Sequence, residues 1–196
     1  DKPTTLKIEG FPVDFLPYTP TPTKFLKGWN SGASILISHL AVAEAVLNKK
    51  YDTLSVEDDS KEKEIISPEL FEPWVKTWLG HYHYGQKLSN GVEYIGSPMQ
   101  LTYGEAGQDK HVAVFDLEFK TSVYIVNTKS PRFHIVEDPA QIDGLDVTNS
   151  YVKFRCEDGA IESKFEFRKK LSKLGAREIE FEKQSIDVIE KAGQAL

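Results

Sequence analysis

The sequence has little cysteine and no long apolar segment, and each shortage excludes a class of structure. One of its 196 residues is a cysteine, Cys156, so no disulfide can form within the chain. A single thiol suits a reducing compartment, and we expect a cytoplasmic protein. No run of 18 apolar residues occurs, so the sequence predicts no transmembrane helix and no membrane partner.

Basic charge is scarce as well. The chain carries 24 lysines and arginines against 30 aspartates and glutamates, for a net charge of −6. A protein that gripped nucleic acid with its whole surface would be basic, so any such contact must come from a local patch. Hydrophobic residues at 40% indicate a globular chain, whose length fits one domain with a small appendage.

An initiator methionine and a signal peptide are missing from the start. The chain begins Asp1-Lys2-Pro3-Thr4-Thr5 and turns at once into strand-like sequence. Such a beginning is typical of the middle of a longer protein, and we expect this chain to be a fragment of one.

The first 30 residues predict a hairpin and a short helix. Leu6–Ile8 and residues 13–16 alternate between apolar and polar positions, and Glu9-Gly10 between them predicts a turn. Thr23 is a candidate cap for a helix that extends through Trp29.

Short strands predominate from residue 34 to residue 126. Residues 34–38 form an almost continuous apolar run, typical of a strand buried on both faces, and they end at His39. Residues 40–67 indicate an irregular loop, and a second strand at 75–79 follows. Strands are then predicted at 92–95, 112–115 and 122–126, which we expect to form a β-meander.

The C-terminal part predicts a strand, a helix and a strand. Residues 151–156 and 177–181 alternate as strands, and residues 162–174 form an amphipathic helix with Gly175 as its C-cap. The predicted apolar stripe of this helix consists of Phe167, Leu171 and Leu174.

Three histidines are the candidate metal ligands. His81 and His83 are two residues apart, so in an extended segment their imidazoles point to the same side. His39 ends a different buried strand, and ligands at the carboxyl ends of neighbouring strands are where α/β sites usually form. Imidazole is a common ligand of Zn, Mn and Fe, but the spacing alone is also that of surface or packing histidines.

His111 and His134 show no partner pattern and are interpreted as structural, as is the thiol of Cys156 in its strand.

Several segments together resemble the late motifs of the calcineurin-like metallophosphoesterases. More narrowly, they are similar to the SbcD-type DNA repair exonucleases and their phage recombination counterparts. The similarity covers residues 1 to 135 well and the remainder loosely. The segments that carry it are Asp1–Thr5, Val13–Tyr18, Leu79–His83, Tyr94–Pro98 and Leu101–Glu105.

The resemblance implies an α/β fold in two parts. Residues 1–131 are expected to be the C-terminal half of a metallophosphoesterase β-sandwich flanked by helices. Residues 132–196 are expected to be a small strand-helix-strand capping domain that contacts DNA.

The resemblance also implies a site for two divalent metal ions, usually manganese. His39 matches the fourth-motif histidine and His81 the first histidine of the fifth motif, both on the second metal. His83 matches the next histidine, on the first metal. The family usually has glycine before the fourth-motif histidine, where this chain has Ser38.

The first three motifs of the family have no match here. They supply an Asp and a His, a bridging Asp, and an Asn followed by the catalytic His. Three neutral imidazoles cannot balance two divalent ions, so we expect no catalytic residue in this segment and no activity from it alone. The expected function is therefore part of a manganese-dependent nuclease that hydrolyses DNA phosphodiesters in repair or recombination.

The partners implied are DNA, an SbcC-type ATPase subunit and, in the intact protein, a second copy in a homodimer. DNA contact is expected from a basic helix face, although such a face is equally often only solvated. Two alternatives stay open: a small-molecule phosphoesterase of the same superfamily, and a non-catalytic module that binds DNA or the ATPase. The candidate DNA contacts are Lys164, Arg168, Lys169, Lys170, Lys173 and Arg177.

Overall fold

A computed structural model describes residues 2–45, 64–156 and 161–183, and for Cys156 and residues 161–163 the backbone alone. The fold is mixed α/β, with several sheets and few helices. The chain divides into two compact units, one of residues 1–98 and 109–127 and the other of residues 99–108 and 128–196. The assignment of residues 1–131 and 132–196 to a metallophosphoesterase half and a capping domain stays a prediction.

A six-stranded sheet is the centre of the first unit. Its strand order is β1-β2-β3-β4-β6-β5; β2, β3, β4 and β6 run parallel, and the edge strands β1 and β5 are antiparallel to their neighbours. The parallel strands place their carboxyl ends at one edge of the sheet, which is where the candidate ligands lie. The strands are β1 Thr4–Ile8, β2 Phe11–Leu16, β3 Ile35–His39, β4 Lys76–Gly80, β5 Gln86–Lys87 and β6 Val92–Tyr94.

The predicted hairpin and buried strand are confirmed. Glu9 and Gly10 both have left-handed backbones, with φ of 51° and 89°, as the tightest turn between twisted strands requires. In β3, Ile35 and Leu36 are 5% and 0% exposed although they point to opposite faces, so both sides of this strand are covered.

The predicted cap and length of the first helix are wrong. Helix α1 covers Thr23–Leu26, and its N-cap is Pro22, so Thr23 is the first helical residue and caps nothing. Proline already has the helical φ, −66° here, and starts the turn without a side-chain hydrogen bond. The helix stops because Lys27 is extended and Gly28 has a φ of 75°. A 3₁₀ turn at Pro68–Phe71 follows, and residues 46–63 of the predicted loop lie outside the described residues.

The predicted meander is wrong, although its last two strands do form a hairpin. Strands β7 His111–Asp116 and β8 Thr121–Val126 make a separate two-stranded sheet. Both edges of β6 are already paired, by β4 and β5, so no edge is left for β7. The hairpin instead contacts the large sheet through side chains: Phe115 meets Trp78 edge-on at 4.9 Å, and the Tyr124 hydroxyl donates to Glu93 at 2.6 Å.

The second unit contains the predicted strand-helix-strand. Strands β9 Phe133–Val136, β10 Tyr151–Cys156 and β11 Glu178–Lys183 form a parallel sheet in the order β11-β10-β9, and helix α2 Ile161–Lys173 lies between β10 and β11 in sequence. Two more 3₁₀ turns, Tyr103–Glu105 and Pro139–Ile142, complete this unit.

Two of the three core positions predicted for helix α2 are confirmed. Phe167 and Leu171 are 5% and 0% exposed and pack with residues of β9 and β10. Leu174 is 44% exposed, because the helix ends at Lys173 and the chain turns away at Gly175, whose φ is 84°. Gly175 is the predicted C-cap, and its N–H donates to the carbonyl of the last turn at Ser172.

Candidate functional site

His39 and Gly80 face each other at the carboxyl edge of the parallel sheet. His39 is the last residue of β3, Gly80 is the last residue of β4, and the two are Cα partners in the ladder. A histidine at the end of one parallel strand therefore lies directly beside the start of the Gly80-His81-Tyr82-His83 segment.

Gly80 has no side chain because the His39 imidazole occupies that space. A Cβ at position 80 would lie 2.7 Å from Nδ1 and 3.3 Å from Cε1 of His39. The backbone of Gly80 is not in the left-handed region, so the requirement for glycine here is one of space. Gly80 thus forms a cradle that sets where the His39 ring lies.

His81 brings a second imidazole to the same place. The ring centroids of His39 and His81 are 5.3 Å apart, with the planes at 80°. His81 has a φ of 109°, in a region that a residue with a side chain rarely adopts. Such strain persists only where the surroundings enforce it, and it is concentrated at functional sites.

The structure removes the reason for expecting the His83 side chain beside that of His81. Strand β4 ends at Gly80 and the left-handed backbone of His81 breaks the extended conformation, so the alternation of side chains does not carry from His81 to His83. The His83 side chain is exposed, and its carbonyl accepts from Lys110 Nζ at 2.7 Å and from Ser97 N–H at 3.2 Å. Its assignment as a ligand stays a prediction.

The imidazole pair fits part of a metal site. Imidazole nitrogen is a suitable donor for zinc and related transition metals, and Gly80 leaves room for one of the two rings. Among the described residues, however, no group of three or more His, Cys, Asp or Glu side chains is placed to hold an ion. A complete site therefore needs donors beyond this pair.

Ser38, the departure from the family pattern, is accommodated without strain at the site. Its side chain is buried and its hydroxyl donates to the carbonyl of Leu16 at 2.7 Å, across to β2. The hydroxyl is satisfied by its neighbouring strand, so His39 keeps its place at the strand end.

Two tyrosines support the imidazole pair, and sequence reasoning missed both. The Tyr82 ring contacts His81 at 4.6 Å and Tyr94 at 5.0 Å between centroids. The Tyr94 hydroxyl donates to the carbonyl of Leu40 at 2.7 Å and accepts from Val42 N–H at 3.0 Å. Burial raises the pKa of both phenols, so both hydroxyls keep their protons. The sequence offered one signal for Tyr82, which is its position between the two candidate ligands His81 and His83.

Glu64 is a third residue that the sequence did not single out. A depression of about 10 Å³, room for about one water molecule, is lined by His81 and Glu64 together with Leu40 and residues near α1. In the sequence, Glu64 ends a stretch of acidic residues that indicates only a solvated loop.

The candidate DNA contacts divide into anchored and outward-facing groups. Lys170 pairs with Asp143 at 2.7 Å, and the Arg168 guanidinium lies 5.1 Å from the Phe181 ring. Arg177 lies 5.5 Å from the Tyr151 ring. At 100° per residue, Lys169 and Lys173 project opposite the buried Phe167 and Leu171. Lys164 is half-buried.

The remaining histidines agree with a structural role. His111 contacts the Tyr124 ring edge-on at 5.1 Å within the β7–β8 hairpin. His134 is half-buried on β9; burial, and then the charge of Arg132, lower the pKa of its imidazole. The side chain of Cys156 lies outside the described residues.

The architecture defines a mixed α/β protein with a pair of imidazoles at the carboxyl edge of a parallel sheet. No family model matches the chain. The chain is similar to exonuclease subunit 1 of Enterobacteria phage T4, with 29% identity over 160 residues, which are 78% of this chain and 43% of the phage protein. It therefore spans less than half the length of that relative. None of the described helices is both long and apolar enough to cross a bilayer.

Proposed function

We propose that this chain is part of a metal-dependent DNA nuclease of the calcineurin-like metallophosphoesterase class, in the SbcD-type branch that acts in repair and recombination. The observation that carries the proposal is the His39–His81 pair. It lies at the carboxyl ends of adjacent parallel strands, where the absence of a side chain at Gly80 leaves space for the His39 ring. The distant similarity to a phage exonuclease subunit supports the same class.

His39 and His81 would hold one ion, and His83 would contribute to a second. Manganese is proposed from the resemblance to the family, because imidazole alone suits several transition metals and manganese also needs oxygen donors. Bound ions of this kind supply the Lewis acidity that activates water and neutralises charge on a phosphodiester. As ligands, His39 and His81 would supply nitrogen donors without negative charge, and the described residues place no third His, Cys, Asp or Glu with them. The charge balance would come from further ligands, so this chain alone would not catalyse hydrolysis.

The proposed substrate is DNA, and the proposed partners are a second copy and an SbcC-type ATPase. The phage relative is named as a subunit, which supports an assembly. Lys169 and Lys173, which project from α2, would contact phosphates without reading sequence, in keeping with a chain of net charge −6 that concentrates basic residues locally.

Removal of one ligand tests the proposal in the full-length protein. With manganese and a linear duplex, His81→Ala should reduce nuclease activity at least about 100-fold, since even indirect supports of a metal ligand are worth 10–100-fold. His111→Ala, which removes an imidazole from the β7–β8 hairpin, is the matched control and should retain activity. A His81→Ala protein that cuts DNA at the normal rate would refute the proposed metal role of this segment and leave it a non-catalytic part of the nuclease.

A further inference from the structure

We propose that Tyr94 is a positioning residue for the His39–His81 pair and that Tyr82 carries its support to His81. The inference rests on the proposed function in so far as the pair binds a metal ion. The positioning itself does not depend on metal binding, because the two tyrosines would hold the two imidazoles in place in the metal-free protein.

The Tyr94 hydroxyl fixes the chain that follows His39. Tyr94 is 0% exposed on β6, and its hydroxyl bonds the carbonyl of Leu40 and the N–H of Val42, the first and third residues after His39. Backbone groups buried in this way must be paired, and leaving one unpaired destabilises the fold. No other residue of β6 bonds this segment through its side chain among the described contacts. The phenol therefore holds the first and third residues after His39, and backbone hydrogen bonds between Ile66 and both Ala41 and Ala43 hold the same segment from another side.

The Tyr94 ring supports His81 through Tyr82. The three rings form a chain of edge-on contacts, with interplanar angles of 62° between Tyr94 and Tyr82 and 65° between Tyr82 and His81. Edge-to-face contacts of this geometry are directional. The contact between Tyr82 and His81 therefore favours one orientation of the His81 ring, on a backbone whose φ of 109° few residues with a side chain adopt.

A tyrosine with only a structural role is available for comparison in the same unit. The Tyr124 hydroxyl donates to the buried carboxylate of Glu93 at 2.6 Å, between the β7–β8 hairpin and the large sheet. Tyr124→Phe therefore removes a part-buried hydrogen bond to the residue before Tyr94, and this bond does not involve the segment after His39.

The experiment compares Tyr94→Phe with Tyr124→Phe in the full-length protein. The positions of the imidazoles are followed by the ring-proton NMR signals of His39 and His81 in metal-free protein, and affinity by titration with Co²⁺ and Mn²⁺. Tyr94→Phe should move or broaden both imidazole signals and weaken metal binding about tenfold or more. Tyr124→Phe should leave both unchanged while lowering the thermal midpoint. The inference is overturned if Tyr94→Phe keeps wild-type imidazole signals, or if Tyr124→Phe disturbs them equally.

A second variant covers the case in which Tyr94→Phe does not fold. Tyr82→Leu removes the ring contact and leaves both hydrogen bonds of Tyr94 in place, so it should move the His81 signal and spare that of His39; movement of neither signal overturns the inference. If the wild-type protein binds no metal, the proposed function fails, and the imidazole signals alone decide whether the tyrosines position the pair.

Discussion

Replacement of Gly80 by alanine is the sharpest perturbation of the imidazole pair, because its effect follows from one distance. The new Cβ would lie 2.7 Å from His39 Nδ1, whereas ordinary van der Waals contact begins at 3.4 Å. The His39 ring must therefore retreat by at least the difference, about 0.7 Å. Metal-to-nitrogen distances tolerate a change of only about 0.2 Å, so the displaced imidazole would be lost as a ligand.

The stability of the fold should hardly change. The His39 side chain is exposed and can rotate away, and Gly80 has no left-handed backbone that alanine would strain. Alanine is moreover favoured over glycine in a strand by about 0.5–1 kcal/mol through backbone entropy. We expect the free energy of unfolding to stay within about 1 kcal/mol of wild type.

The assay pairs thermal unfolding with a Co²⁺ or Mn²⁺ titration of the full-length protein. Gly80→Ala should keep its thermal midpoint and lose at least about tenfold in metal affinity. Gly104→Ala is the control, since its Cβ would meet only the Thr102 hydroxyl at 3.5 Å. A Gly80→Ala protein with wild-type affinity and wild-type fold would refute the reasoning that the cradle sets the position of the His39 imidazole.

Two further predictions concern the buried carboxylate and the basic helix. Burial opposes ionisation of Glu93, but hydrogen bonds from Lys76 and Tyr124 outweigh it and lower its pKa from the ordinary 4.5. Its stabilising contribution is therefore complete above that value and lost as the pH falls through the folded pKa. The thermal midpoint should fall more steeply between pH 5 and about pH 3 in wild type than in Glu93→Gln, and parallel curves would contradict this. For the helix, Lys169→Ala/Lys173→Ala should reduce the salt slope of duplex DNA binding by about 1.8, or about 0.9 for each lost phosphate contact, whereas Lys170→Ala, whose amine already pairs with Asp143, should not. An unchanged slope in the double variant would show that this face is only solvated.

Local sequence signals predicted the elements whose conformation is determined locally. The turn at Glu9-Gly10 and the C-cap at Gly175 both follow from residues that tolerate a left-handed backbone. The amphipathic helix was found to within one residue at each end, because Phe167 and Leu171 recur at the helical period.

Long-range pairing decided what the sequence could not predict. Asp14 sits in an alternating strand, yet it is 0% exposed, because Thr5, Ser31 and Trp74 each donate a hydrogen bond to its carboxylate. The false meander had the same origin, since only the complete sheet shows that both edges of β6 are already paired.

The candidate site shows the same division. Its histidines were chosen from the sequence, and the pairing of His39 with His81 agrees with the expectation that strand ends meet. The left-handed backbone of His81 was not expected, and it removes the reason for placing His83 beside it. Tyr94 lies 54 residues from its partner Leu40, so no local pattern could connect the two.

The rung that joins His39 to Gly80 belongs to the same ladder that joins Leu36 to Thr77. A slip of one residue between β3 and β4 would move Leu36 to the opposite buried face, where the packing is made for Ile35, and in the same movement set the imidazole against a residue with a side chain. Misregistered sheets are thus rejected by core packing before they can present a false arrangement of histidines. The relative position of the two imidazoles therefore depends on the whole sheet, because the packing of its apolar interior selects the register of β3 on β4 that brings His39 beside Gly80.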